Sequence, residues 1–228
     1  MKKISVYDIL ILVILMKENY DKKLEEILLM HKKNNEVPTL LLHSCCAPCS
    51  SYVIEYLSKY FHITILYYNP NISPISEYEK RKKEQIRLLN EMDTLYKVHF
   101  LDCDYDNDLY EKEICGLENE PERGKRCLVC FRLRLVKTAL MAKKEHFDYF
   151  GTTLTVSPYK NSLVINSIGK ELEKLYDIPF LVSDFKKRNG YKRSIELSSI
   201  YHLYRQDYCG CKYSKKEREI NTKKVENS

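Results

Sequence analysis

Seven of the nine cysteines fall into three tight groups, and thiolates are the side chains suited to holding soft metals and moving electrons. His43-Ser44-Cys45-Cys46-Ala47-Pro48-Cys49 comes first, Arg126-Cys127-Leu128-Val129-Cys130 second and Tyr208-Cys209-Gly210-Cys211 last. Two C-x-x-C spacings, Cys46/Cys49 and Cys127/Cys130, can supply four thiolates to one metal centre. Structural zinc held by those four is the plain alternative. It leaves Cys45, Cys209 and Cys211 unexplained, since a structural zinc site takes four ligands and stops. The pattern therefore predicts a metal centre with redox-capable sulfur beside it.

Within these groups the spacings differ in what they permit. Successive side chains diverge, so Cys45 and Cys46 are expected to face different centres. Cys209-Gly210-Cys211 can pinch one metal ion or close a strained, easily reduced disulfide. Cys103 and Cys115 are isolated and read as packed thiols. His43 stands beside the first group and can orient a ligand or donate a proton. Tyr208 is a second candidate proton donor.

The elements that must position these groups alternate in type. Asn19 to Lys33 has helical spacing, and Thr39 to His43 is a continuous apolar run typical of a strand covered on both faces. Helix is expected over Cys49 to Tyr60, strand over Ile63 to Tyr68, helix over Ser76 to Met92 and strand over Tyr96 to Leu101. Asp102 to Glu122 reads as an acidic loop, followed by helix over Cys127 to Glu145 and strand over Phe147 to Phe150. Helix over Asn161 to Tyr176, strand over Pro179 to Val182 and helix over Ser194 to Leu203 complete the pattern. It predicts an α/β domain with a mostly parallel sheet and flanking helices. Ligands then sit at strand carboxyl ends, where His43 to Cys46 and Gly151-Thr152-Thr153 fall. Backbone N–H groups opening the next helix favour thiolate there.

Composition narrows the class. The 228 residues are 44% hydrophobic and 31% charged, with a formal charge of +6, which suits one folded domain and tolerates a polyanionic partner. Clustered cysteines in an odd number argue for a reducing, cytoplasmic location rather than a disulfide scaffold. The apolar run Ile9 to Met16 is too short to span a bilayer and lacks a cleavage site, so no membrane association is expected. Residues 1–18 read as an N-terminal extension, 19–214 as the chemical domain and 215–228 as a disordered charged tail. Lys186-Lys187-Arg188, Lys192-Arg193 and Arg205 alternate with Tyr191, Tyr201, Tyr204 and Tyr208, a pattern suited to an extruded nucleotide. No Walker-type glycine loop is present.

At these residues the chain closely resembles the cobalamin-independent QueH family of epoxyqueuosine reductases. The resemblance runs from about Asn19 to Ser214 and rests on Leu41 to Cys49, Tyr68-Asn69-Pro70-Asn71-Ile72, Glu120-Pro121-Glu122, Arg126 to Phe131, Thr152 to Pro158, Ser183-Asp184-Phe185 and Tyr204 to Cys211. It implies a PP-loop ATPase-like (HUP-type) domain without the ATP loop. It implies a [4Fe-4S] cluster held by the Cys45/Cys46/Cys49 region with Cys127 and Cys130, and a further redox or mononuclear-iron role for Cys209 and Cys211. Some members carry aspartate in place of Cys49, so Cys45 and Cys49 compete as fourth ligand, and spacing favours Cys49. The implied reaction reduces epoxyqueuosine to queuosine at the tRNA wobble position, using an external electron donor. Because the family starts later than this chain, Met16 is a candidate initiator. The rivals are a cluster-bearing tRNA sulfur-transfer enzyme, which would need an ATP loop, and a zinc-stabilised RNA-binding protein.

Overall fold

Leu40, Leu41 and Leu42 are fully buried because the strand that carries them is covered on both faces. The computed structural model describes residues 18–226, so the apolar run Ile9 to Met16 lies outside the described residues. Four strands, β1 (Thr39–His43), β2 (His62–Leu66), β3 (His99–Leu101) and β4 (Tyr149–Thr152), form one parallel sheet in the order β3-β2-β1-β4. Strand alternation sends Leu41 into one core, with Phe131, Leu135, Phe150 and Ile165, and sends Leu40 and Leu42 into the other, with Val53, Ile54, Leu57 and Phe61.

Helices cover both faces. In chain order they are α1 (Tyr20–Asn34), α2 (Ala47–Leu57), α3 (Ile75–Glu91), α4 (Asn107–Glu113), α5 (Lys125–Lys144), α6 (Ser162–Tyr176), α7 (Gly190–Ile200) and α8 (Lys212–Glu226). The first shows how locally they are specified. The Asn19 side chain accepts from the Lys22 N–H at its start, and Asn35 takes the left-handed conformation at its end. Among the described residues no helix is long and apolar enough to cross a membrane.

The α/β class and parallel sheet agree with the sequence expectation, and four segments depart from it. Pro179 to Val182 makes a single bridge, Phe150 to Phe180, instead of a strand. Pro179 has no N–H, and by Ser183 the backbone N–H bonds to the Asn166 side chain at 2.9 Å rather than to a ladder. The acidic stretch contains α4, whose Tyr110 packs with Ile114, Cys130 and Cys211. One short helix with so few apolar residues leaves no readable period. The last expected helix lies earlier, as α7. The tail expected to be disordered is helical as α8. Cys211 Sγ accepts from Ser214 N at 3.4 Å in its first turn, Tyr213 Oη donates to Glu111 at 2.7 Å and Arg218 pairs with Asp207. The helix is thus held by a local cap and by single polar partners outside it, so the polar tail shows no amphipathic period.

The chain runs β1, β2, β3 to one side of β1 and then crosses to place β4 on the other. The carboxyl ends of β1 and β4 are therefore the point where the winding reverses, the place open parallel sheets leave a crevice.

Gly169, in the middle of α6, tests the packing of this sheet edge. A Cβ there would lie 2.2 Å from the ring of buried Phe180, which is itself 5.0 Å from the Phe150 ring centroid. Gly169→Ala gains about 1 kcal/mol of helix propensity but meets overpacking of about 1–3 kcal/mol. The expected outcome in urea unfolding is net destabilisation; a raised midpoint would contradict this packing.

Candidate metal and redox site

The first cysteine group occupies the turn from β1 into α2. Ser44 N donates to the Leu66 carbonyl at 3.1 Å, and Asn69 Nδ2 donates to the Ser44 carbonyl at 2.8 Å. The hydroxyls of Ser44 and Ser50 both donate to Gln85 Oε1, at 2.7 and 2.9 Å. Cys46 is the extended N-cap residue of α2, and proline lies in the first turn. The turn brings the sulfurs of Cys45, Cys46 and Cys49 within 4.8 Å of one another, with Cys45 and Cys46 3.8 Å apart. The expected divergence of Cys45 and Cys46 therefore does not occur: strand alternation ends at His43, and the bend turns both sulfurs into one space. Thiol hydrogen bonds from Cys46 and Cys49 hold Cys45 well below the usual thiol range, while the same contacts push Cys46 and Cys49 up.

Cys127 and Cys130 sit in the first turns of α5. Cys127 Sγ accepts from Arg123 N at 3.3 Å. Burial, followed by the charge of nearby Cys209, pushes the Cys127 thiol up to about 11. Cys130, Cys209 and Cys211 share the same region, and buried Cys211 packs with Cys130. Gly210 between the last pair has φ +124°, a conformation open to glycine, and a Cβ there would lie 3.0 Å from both Arg81 Nη1 and Ile72 Cγ1. All nine cysteines are free thiols. Cys103 is half-buried, whereas Cys115, expected to be a packed thiol, is exposed, and neither belongs to the Cys45/Cys46/Cys49 cluster.

Three buried arginines surround the sulfur, and sequence reasoning passed over all of them. Arg134, 1% exposed, donates from Nε to the Cys130 carbonyl at 3.1 Å, and its Nη2 has no partner. It feels the charges of Cys130, Cys209 and Cys45 together. Arg81 donates from Nε to Glu77 at 2.7 Å and from Nη1 to the Cys209 carbonyl at 3.1 Å, with Nη2 unpartnered. Its guanidinium lies 5.1 Å from the centre of the Tyr208 ring. Arg126 donates to the carbonyls of Glu118 and Glu120, and its Nε is unpartnered. In sequence, Arg81 lies within the charged amphipathic helix expected over Ser76 to Met92. The available signal was spacing: Arg134 stands one turn beyond Cys130 on the same helix face. Buried guanidinium N–H groups without partners are costly, so this shell fits an anionic, thiolate-held group.

His43 is fully buried, and both of its ring nitrogens are engaged. Nε2 faces the Tyr68 carbonyl at 3.2 Å, an acceptor only, so Nε2 carries the proton. Nδ1 then accepts from the Thr152 hydroxyl at 2.9 Å. Burial first, and the charge of Arg134 second, lower its pKa to about 3. His43 is a neutral tie between the ends of β1 and β4, and it does not line the cleft.

That cleft, about 640 Å³, has Cys45, Cys46, Cys49 and Cys209 in its walls with Tyr208, Arg81, Lys160 and Arg205. Burial, with Glu77 nearby, raises the Tyr208 pKa, so its phenol keeps its proton. Burial pulls the Lys160 ammonium down, but the charges of Cys209, Cys45 and Cys49 outweigh this and raise it overall. Much of the basic run is spent inside the molecule: Lys186 pairs with Asp184, Arg188 with Asp21 and Glu25, and Arg193 with Glu55 and Glu196.

With this geometry in hand, the family model described as Epoxyqueuosine reductase QueH matches residues 40–217. The epoxyqueuosine reductase QueH of Streptococcus pyogenes serotype M1 is 44% identical over 211 residues, covering 92% of this chain and 83% of its own. That of Staphylococcus epidermidis is 42% identical over 213 residues, covering 92% and 90%. The Thermotoga maritima protein of the same name is 35% identical over 186 residues, covering 79% and 92%.

Arg81 holds the Cys209 carbonyl and lies against the Tyr208 ring, so its removal should free the loop carrying Cys209. In Arg81→Met, alkylation of Cys209 by iodoacetamide, followed by peptide mass spectrometry, should be faster than in the parent protein. An unchanged rate would show that the loop is held by other contacts.

Proposed function

The chain belongs to the epoxyqueuosine reductase QueH family, and from that premise we propose that it removes the epoxide oxygen of epoxyqueuosine in tRNA, giving queuosine. It is an oxidoreductase. The observation that carries this reading is the cluster of Cys45, Cys46 and Cys49 in a cleft wall that also holds Cys209, with Cys127, Cys209 and Cys211 in electrostatic reach of Cys130 and buried arginines whose N–H groups lack partners around them. The donor set fits an iron–sulfur cluster, which takes four cysteine ligands.

Our allocation is Cys45, Cys46, Cys127 and Cys130 for a [4Fe-4S] cluster. Spacing alone favoured Cys49 over Cys45. One feature supports Cys45 instead: the bend after β1 removes the divergence that counted against it and places its sulfur 3.8 Å from that of Cys46. Cys49 then serves as a hydrogen-bond donor. When bound, the cluster supplies electrons singly, whereas the reaction consumes two electrons and two protons per epoxide and releases water.

The chain's own groups meet the rest of that demand. Cys209, in the cleft wall beside Tyr208, and Cys211 just behind it can give up two electrons and two protons together by passing from dithiol to disulfide. The C–O bonds of the epoxide break, the alkene forms and the oxygen leaves as water, so atoms and electrons balance. An external donor must reduce the disulfide again. Tyr208 keeps its proton and faces the cleft, so it is placed to hydrogen-bond the departing oxygen. His43 acts by position, fixing the β1 end from which Cys45 and Cys46 extend. The tRNA backbone meets the cations of the cleft wall, Arg123, Lys160 and Arg205, more than Lys186 and Arg188, which already hold carboxylates.

Anaerobic purification should give a brown protein with about four irons and four sulfides per chain. Serine at Cys45, Cys46, Cys127 or Cys130 should strip that iron, and Cys49→Ser should retain most of it. Cluster loss in Cys49→Ser with retention in Cys45→Ser would reverse the allocation. Zinc without sulfide would remove the cluster altogether. Cys209→Ser and Cys211→Ser should stay brown and bind tRNA yet fail to form queuosine, read by nucleoside analysis. Near-normal conversion by either would take the pair out of the mechanism.

A further inference from the structure

Among the described residues, Tyr159 is the one large aromatic side chain left exposed, at 58%. Its location is not arbitrary. It stands on the rim shared by the thiol cleft and a second cavity of about 460 Å³ whose walls include Cys127 and Phe131. The backbone beneath the ring is fixed. Tyr159 N donates to Ser157 Oγ at 3.3 Å, Lys160 N to the Ser157 carbonyl at 3.2 Å, and Lys186 Nζ to the Lys160 carbonyl at 3.3 Å. The ring is thus presented to solvent by a pinned turn.

Arg123 lies against that ring with its guanidinium carbon 5.3 Å from the centroid. Its own backbone is held in the left-handed region, φ 74°, with its N–H on Cys127 Sγ. No carboxylate pairs with Arg123 among the described residues, so the charge is available to a phosphate. The cleft wall as a whole carries five cations, Arg81, Arg123, Lys160, Arg205 and Arg218, against the three acids Glu122, Asp207 and Glu217. Of those acids, Asp207 is paired with Arg218, and Glu217 accepts the Glu122 N–H.

We propose that Tyr159 backed by Arg123 is a stacking platform for an unpaired nucleotide of the anticodon loop, the one flanking the base that enters the cleft. This rests on the tRNA reading above. A base reaching sulfur inside the cleft must leave its stack, and its neighbour thereby loses a stacking face. An exposed ring on the rim replaces that face without reading base identity, and the adjacent guanidinium meets the phosphate.

The test uses the full chain, purified anaerobically, and an unmodified anticodon stem–loop RNA, with affinity read by fluorescence anisotropy across a salt series. Tyr159→Ala should weaken binding about 5- to 100-fold, with the salt slope unchanged because no charge is removed. Tyr159→Phe should bind like the parent. An RNA abasic at the flanking loop position should bind the parent weakly and lose little more with Tyr159→Ala. If the parent prefers the stem–loop to a duplex of equal length while Tyr159→Ala stays within about twofold of it, or Tyr159→Phe fails as badly as alanine, the platform is wrong and the tRNA reading stands. If the parent shows no such preference, both fall.

Discussion

Arg134 brings a full positive charge into the interior with no carboxylate to meet it among the described residues, and much of the architecture answers that constraint. A guanidinium this deep is tolerated only where negative charge faces it. Here the groups that face it are sulfurs, which become anionic as metal ligands: Cys130 on its own helix, Cys209 from the loop before α8 and Cys45 from the end of β1. Arg81 and Arg126 are buried likewise, with backbone carbonyls as partial partners and, for Arg81, the Glu77 carboxylate as well. Removing the anionic demand would leave three buried cations with open N–H groups, so the site and the stability of its shell are one problem.

The sheet supplies the geometry for that meeting. Parallel winding that reverses at β1 leaves the carboxyl ends of β1 and β4 side by side, and His43 bonded to Thr152 ties them. From there Cys45 and Cys46 leave on one path and Thr153 on the other, with Cys45 Sγ 4.0 Å from Thr153 Oγ1. The polar set of Ser44, Ser50, Asn69 and Gln85 braces the turn that presents the thiols. Helix α5 holds Cys127 and Cys130, and the loop before α8 holds Cys209 and Cys211.

The wall opposite the sheet comes from segments whose sequence shows little. Helix α4 adds Tyr110 beneath Cys130 and Cys211, and α8 lines the cleft with Ser214, Glu217 and Arg218. Both are polar or short, and they are held by polar partners outside themselves, Glu111 to Tyr213 across the chain and Asp207 to Arg218 from the preceding loop.

By itself the sequence determined the α/β class, the boundaries of β1 and the grouping of the seven cysteines, because apolar runs and short spacings are local properties. Tertiary structure alone decided three things. The bend after β1 turned Cys45 and Cys46 together, where strand alternation would have parted them. Carboxylates remote in the chain claimed Arg188 and Arg193, which sequence order had grouped as a basic surface. Packing left Tyr159 exposed on the cleft rim among so many tyrosines otherwise covered. Each depends on contacts between residues far apart in the chain, and no local pattern of residue types encodes which distant partner a charge, a ring or a thiol will meet.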